Sequence, residues 1–216
     1  MYLDIAKELG YKIDVENDGD VTALAGAMAL KENGVLGIAM GTSEAVGYIN
    51  KDGNLNGWIS ELAFAPVDMN TKAMQDEWSG DIGCGVKYFS QDGVIKLAES
   101  AGIRFDESLS PAEKLKVLQK MLSDGDSIAK QIFDDIGTYL GYTLAFYSEF
   151  YDINVLLLLG RVTSGDAADI IVKKAKKVLA DEYPELKNIK IIIPDESIKR
   201  VGQSIAAASL TDIETC

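Results

Sequence analysis

Residues 35–50 read VLGIAMGTSEAVGYIN, an apolar run, a small-residue turn opening at Gly41-Thr42-Ser43, and a second apolar run directly behind it. Two β-prone runs joined through Gly and Ser predict a hairpin whose tip can approach a ligand by its backbone. Strand-turn-strand is one of two common ways to present a loop to a phosphate, strand-turn-helix being the other. Taken alone the stretch is only a turn, and the flanking segments decide whether it is more.

Upstream, Asp4–Leu9 predicts a short helix closed by Gly10, and Tyr11–Val15 a short strand. Residues 21–33, VTALAGAMALKEN, are good helix formers with Gly34 in the stop position and Asp18 or Asp20 as N-cap. Downstream, Asn50-Lys51-Asp52-Gly53 is a turn, and Trp58–Phe64 (WISELAF) predicts a third strand interrupted by Glu61. Residues 68–87 have no period and predict an irregular insertion packed down by Trp78. A helical insertion follows over about 88–126, with Ser90 as one cap and Ser110-Pro111-Ala112-Glu113 as a capping box opening a helix to about Leu122.

Ser127–Phe150 is the longest helical pattern, with Ile128, Ile132, Ile136, Leu140 and Leu144 recurring every fourth residue. Gly137 and Gly141 lie on the same helix and predict close packing of a second element. Asn154–Leu159 predicts a buried strand, Ala167–Ala180 a helix, Ile189–Ile193 a last strand closed by Pro194, and Ile198–Leu210 a last helix. A meander followed by alternating helices and strands implies a single α/β domain over 1–216, its mixed sheet covered by helices on both faces.

The 216 residues are 47% hydrophobic and 25% charged, the profile of an ordinary globular protein able to bury a sizeable core. No apolar run is long enough to span a membrane, and the acidic, amphipathic N-terminus is neither a signal nor a transit peptide. A net charge of −13 with no basic cluster argues against nucleic-acid binding by this chain. Two cysteines, Cys84 and Cys216, fit a reducing cytoplasm, and they cannot form a zinc site without histidine, of which there is none, or acidic help. Acid-base chemistry must therefore fall to Asp, Glu, Lys or Tyr.

Five ordered segments, VENDGDVTALAGAMAL (15–30), IAMGTSEAVGYIN (38–50), SELAFAPVD (60–68), SGDIGCGVKYFS (79–90) and INVLLLLGRVTSGD (153–166), together resemble the ROK family of sugar kinases, sugar-responsive repressors and open reading frames, within the ribonuclease H-like fold of the actin and sugar kinase superfamily. VENDGDVTALAGAMAL (15–30) resembles its Asn-Asp segment; carried over, Asp18 is the base that takes the sugar hydroxyl proton and Asn17 a sugar-binding amide. IAMGTSEAVGYIN (38–50) resembles its second phosphate loop, G-T-G-I-G-G-G-I, with Gly41, Thr42 and Ser43 toward phosphate; Ser43 and Ala45 stand where glycines are expected. SELAFAPVD (60–68) resembles G-E-x-G-H-x-x-V, so Glu61 matches a sugar contact, while Phe64 replaces the histidine.

SGDIGCGVKYFS (79–90) resembles the cysteine-rich segment C-x-C-G-x-x-G-C-x-E-x-Y-x-S. Only Cys84 is kept, Val86 replaces the sugar-binding glutamate, and zinc is not expected. INVLLLLGRVTSGD (153–166) resembles the strand and turn that hold adenosine, with Gly160 kept and Arg161 in place of a second glycine; VGQSIAAASL (201–210) resembles the closing helix.

The family begins with a strand carrying D-x-G-G-T, which has no counterpart in the sixteen residues before Asn17. The resemblance therefore implies a C-terminal lobe whose N-terminal lobe is absent. For the full-length protein it implies phosphoryl transfer from ATP, with magnesium, to a sugar hydroxyl. The partners would be a sugar and the missing lobe, with a homodimer open, and the fragment alone is expected to be inactive. A non-catalytic sugar sensor and a purely structural scaffold are the alternatives.

Overall fold

The computed structural model describes residues 2–10, 15–58, 60–194 and 204–210. Helix α1 (Tyr2–Leu9) closes at Gly10, and α2 (Asp18–Leu30) leads into the hairpin of β1 (Val35–Met40) and β2 (Glu44–Ile49). Helices α3 (Gln91–Ser100), α4 (Pro111–Ser123) and α5 (Ser127–Tyr147) follow an irregular stretch. Strand β3 (Val155–Leu159), helix α6 (Asp166–Glu182), strand β4 (Lys190–Ile192) and a short helix α7 (204–209) are the remaining elements of the described residues. The expected strand at Tyr11–Val15 and the first half of the expected last helix fall outside the described residues.

The sheet order is β2-β1-β3-β4, with β1 antiparallel to β2 and parallel to β3, and β3 parallel to β4. Because β3 is inside the sheet and covered on both faces, its sequence is a continuous apolar run. Val155 and Leu157 join Ala23 and Ala27 of α2 on one side. Leu156 and Leu158 face α3 to α6 on the other, with Phe89, Phe133, Ile136 and Leu140. All four strand residues are fully buried, each contributing about 2 kcal/mol.

Helix α2 crosses the sheet at very close range. A Cβ on Gly47 would lie 2.2 Å from the Gly19 carbonyl oxygen, and one on Gly26 would lie 2.1 Å from Leu157 Cδ2. Only hydrogen side chains at these contacts let helix and sheet backbones meet. The path runs from β2 at Gly19, over β1 where Ala23 meets Gly37, to β3 at Gly26. The N-terminus of α2 is thereby fixed at the outer edge of β2.

Capping follows the sequence for α3 and α4. Ser90 Oγ accepts from Gly93 N at 3.0 Å, and the Glu113 carboxylate accepts from Ser110 N at 2.8 Å. For α2 the cap is Asn17, whose Oδ1 accepts from Gly19 N at 2.8 Å; Asp18 and Asp20 lie within the first turn instead.

Among the described residues of 58–64 the expected third strand does not form. Leu62–Phe64 is a 3-10 turn, and among the described residues β2 is extended by a single bridge between Ile49 and Leu55. Trp78 does not pack the following insertion down; it is 83% exposed and touches only the Phe64 ring among described aromatic contacts. Acids and tyrosines hold this stretch. Asp68 accepts from Tyr88 and Tyr139 at 2.7 and 3.1 Å, and Tyr147 donates to the Leu62 carbonyl at 3.2 Å. Buried Lys87 pairs with Asp76 at 3.3 Å, Glu77 at 2.6 Å and Asp92 at 3.2 Å. Burial alone would lower the Lys87 ammonium, but its bonds to Glu77 and Asp92 hold it above the ordinary lysine value.

The stripe on α5 is buried from Ile132 onward, whereas Ile128 in the first turn is 44% exposed. Gly137 and Gly141 do seat a second helix. A Cβ on Gly137 would come within 2.7 Å of the Ile171 carbonyl oxygen and Lys174 Cβ of α6. Gly137→Ala is therefore expected to force the helices apart and cost about 1–2 kcal/mol, even after the gain in helix propensity. Thermal unfolding should fall by about 3–6 °C, and an unchanged midpoint would show that the crossing has slack.

Candidate functional site

The residues expected to bind ligand fall into two groups joined by β2. The first is at the carboxyl ends of parallel strands β1 and β3, where open α/β sheets bind ligands. Thr42 and Ser43 are exposed at the hairpin tip, and Gly41 ties that tip to the start of α3, its carbonyl accepting from Gln91 N at 2.8 Å. Gly160 follows β3 with φ of 96°, and a Cβ there would lie 2.2 Å from the Met40 carbonyl oxygen. Both the backbone angle and the space demand glycine, which brings the Gly160 turn directly against the end of β1. Arg161 is exposed beside it and opens a 3-10 turn, its carbonyl accepting from Gln119 Nε2 of α4 at 2.8 Å.

The second group lies along the outer edge of β2. Asn17, Asp18 and Glu61 are all exposed there. Asp18 borders an open groove of about 320 Å³ with Glu16, Val21, Ser204 and Ala207. Its neighbour Gly19 touches β2 at Val46, three residues along the strand from Ser43, or about 10 Å. The amide oxygen of Asn17 is occupied in capping α2, so Asn17 orients the first turn that carries Asp18.

Sequence reasoning assigned Asp20 no role beyond a possible cap. Its Oδ1 accepts from Tyr48 N at 3.1 Å, satisfying a backbone donor on the edge strand and locking the start of α2 to β2. Burial raises the Asp20 carboxyl above the usual range; the Tyr48 hydrogen bond opposes this, and the charges of Glu16 and Glu61 add to it. Glu61 thus belongs to the same electrostatic cluster as the start of α2, although it lies on a loop and not on a strand.

Glu44, the first residue of β2, was also missed. It is buried, and neither carboxyl oxygen has a hydrogen-bond partner. Burial pushes it up to about 8. The packing is tight, since a Cβ on Gly85 would be 2.5 Å from Glu44 Oε2 and 2.9 Å from the Leu62 carbonyl oxygen. The first position of a strand gives no signal that a glutamate there will be covered.

Among the described residues, no three His, Cys, Asp or Glu side chains converge as a metal site requires, and no helix is long and apolar enough to cross a membrane. Free Cys84 is buried, where desolvation raises its thiol.

No protein-family model and no curated protein sequence matches the chain. Solved structures do. A ROK family transcriptional regulator, described as a homologue of the E. coli MLC protein, superposes with a TM-score of 0.73 at 18% identity over 96% of this chain and 55% of its own. A ROK glucokinase from Streptomyces griseus, solved with glucose and AMPPNP, gives 0.70 at 17% identity over 96% of this chain and 70% of its own. A ROK hexokinase from Thermus thermophilus gives 0.73 at 15% identity over 94% and 66%. The chain thus spans little more than half of the regulator and about two thirds of the kinases. Its mixed sheet with helices on both faces is the fold of these ROK sugar kinases and of the ROK regulator.

Proposed function

We propose that this chain is the C-terminal lobe of a ROK-type sugar kinase, which transfers a phosphoryl group from ATP to a sugar hydroxyl when the whole protein is assembled. The observation that carries the reading is an exposed carboxylate, Asp18, next to Gly19, which meets β2 at Val46, about 10 Å along the strand from the exposed glycine-initiated turn. A base and a phosphate-accepting turn with an open edge between them suit a sugar held between nucleotide and carboxylate. Asp18 takes the hydroxyl proton as the bond to phosphorus forms, and Glu61 and Asn17 are the sugar-facing polar groups.

The exposed backbone and hydroxyls of Gly41-Thr42-Ser43 fit a phosphate, and Gly160 and Arg161 border the place for the rest of the nucleotide. Bound ATP would supply the phosphoryl group, and magnesium would offset its negative charge. The Arg161 guanidinium adds positive charge on that side of an otherwise acidic chain.

A second reading, the sugar-sensing body of a ROK regulator, is favoured by the superposition on the regulator, as good as any on the kinases compared above.

The test is ATP consumption by the protein as the cell makes it, with glucose, mannose, N-acetylglucosamine or N-acetylmannosamine present, alongside calorimetric titration of each sugar. Sugar-dependent consumption is the expected result. Sugar binding without consumption assigns the sensor, and absence of both overturns either reading.

A further inference from the structure

Beside the outer edge of β2, three aromatic rings form a ladder from the interior to the surface. The rings of Tyr48 and Tyr151, both nearly buried, meet edge to face at 4.9 Å and 68°. Trp58 meets Tyr151 at 5.6 Å and 63°, yet is 56% exposed. Its backbone is pinned as well, the Trp58 N–H donating to Asn56 Oδ1 at 3.0 Å. The indole is therefore a fixed surface that rests on a buried ring and leaves much of its area to water.

The ladder adjoins the polar groups of the candidate site. The Tyr48 N–H is the donor that Asp20 accepts, and the Asp20 charge bears on the Tyr151 hydroxyl. Glu61, three residues after Trp58, bears in turn on Asp20. An exposed aromatic face beside carboxylates matches a ligand with an apolar face and a rim of hydroxyl donors. A pyranose ring has that form: its axial C–H bonds make one face apolar, and its hydroxyls project around the edge. Glu16, Asp18, Asp20 and Glu61 would repel a nucleotide phosphate, which keeps ATP on the Gly41 and Gly160 side.

We propose that Trp58 is the stacking platform of the sugar site, setting a preference for hexopyranoses that lay a C–H face on the indole while their hydroxyls meet Glu61 and Asp18. This assignment rests on the sugar-binding reading above.

The experiment is calorimetric titration of the same four sugars into the protein as the cell makes it and into Trp58→Ala, Trp58→Phe and Trp78→Phe variants. Trp58→Ala is expected to weaken the preferred sugar by about tenfold with the melting temperature lowered by about 2–4 °C through loss of the Tyr151 contact, and Trp58→Phe to restore most of the affinity. In Trp78→Phe, Trp58 is the remaining tryptophan, and saturating sugar should shift its emission to the blue. If the unaltered protein binds a sugar and Trp58→Ala binds it equally well, the platform is wrong and the sugar reading stands. If the unaltered protein binds none of the four, both fall.

Discussion

Asp18→Asn is expected to lower sugar-dependent ATP turnover by a factor of about 10²–10⁴ while sugar affinity stays within a few-fold. The attacking hydroxyl must lose its proton as it bonds to phosphorus, and an amide of the same shape cannot accept one. The fold should hardly register the change. Asp18 is exposed, its described contact is a backbone one in which its carbonyl accepts from Thr22 Oγ1 at 2.7 Å, and the cap of α2 is Asn17. What the substitution removes from stability is the favourable pairing of a negative charge with the helix N-terminus, about 0.3–1 kcal/mol. Far-ultraviolet circular dichroism should be unchanged and the melting temperature lower by no more than about 3 °C. Turnover at the unaltered rate would remove Asp18 as the base, whereas loss of sugar binding as well would make it a binding group.

Much of this architecture is legible in the sequence because its signals are local. The hairpin follows from two apolar runs around Gly41-Thr42-Ser43, α3 and α4 from Ser90 and the Ser110–Glu113 box, and β3 from an unbroken aliphatic run. The errors come where distant contacts override a local pattern. WISELAF has strand composition, but Asp20 already occupies the Tyr48 N–H on the edge that a third strand would use. Tyr147 donates to the Leu62 carbonyl and the Gly85 N–H to the Ala65 carbonyl, which holds this segment in a turn. Trp78 reads as a core residue by type, yet its loop is secured by Lys87 on Asp76, Glu77 and Asp92 and by Tyr88 and Tyr139 on Asp68, each pair joining residues that are not sequence neighbours.

The candidate site divides in the same way. Asn17 and Asp18 sit at a predicted helix start, and Gly160 at a predicted strand end, so their places follow from element boundaries. Asp20 and Trp58 gain meaning only when α2 is seen crossing over β2, which depends on glycines at 19, 37 and 47 meeting across elements. Pairing of Gly37 with Gly47 in the hairpin register cannot be inferred from either residue alone.

Glu44→Met is expected to stabilise the protein at pH 8 and to do so much less at pH 5. Glu44 begins β2, its two carboxyl oxygens are buried without partners, and burial pushes its folded value up to about 8 from an ordinary 4.5. The groups that face it do not relieve it. Tyr147 of α5 donates to the Leu62 carbonyl, and the titratable groups bearing on Tyr147 include Cys84 and Tyr151 besides Glu44. Below pH 4.5 the carboxyl is protonated in both folded and unfolded chains and costs nothing in charge. Between 4.5 and 8 the unfolded chain has lost the proton that the folded chain keeps, so stability falls by about 1.4 kcal/mol per pH unit. Above 8 the loss levels off, at about 5 kcal/mol in total. Methionine is unbranched, close in size and apolar, so it fills the space against Gly85 without the charge. Denaturant unfolding of both proteins from pH 5 to 9 should therefore give curves that diverge as pH rises. Glu44→Gln should flatten the pH dependence too, but with a lower plateau, because it leaves a buried amide unpaired at about 1–3 kcal/mol. Parallel curves for Glu44→Met and the unaltered protein would mean that the carboxyl finds water or a partner in solution. In that case residues 83–90 do not close over the strand as the contact between Gly85 and Glu44 requires.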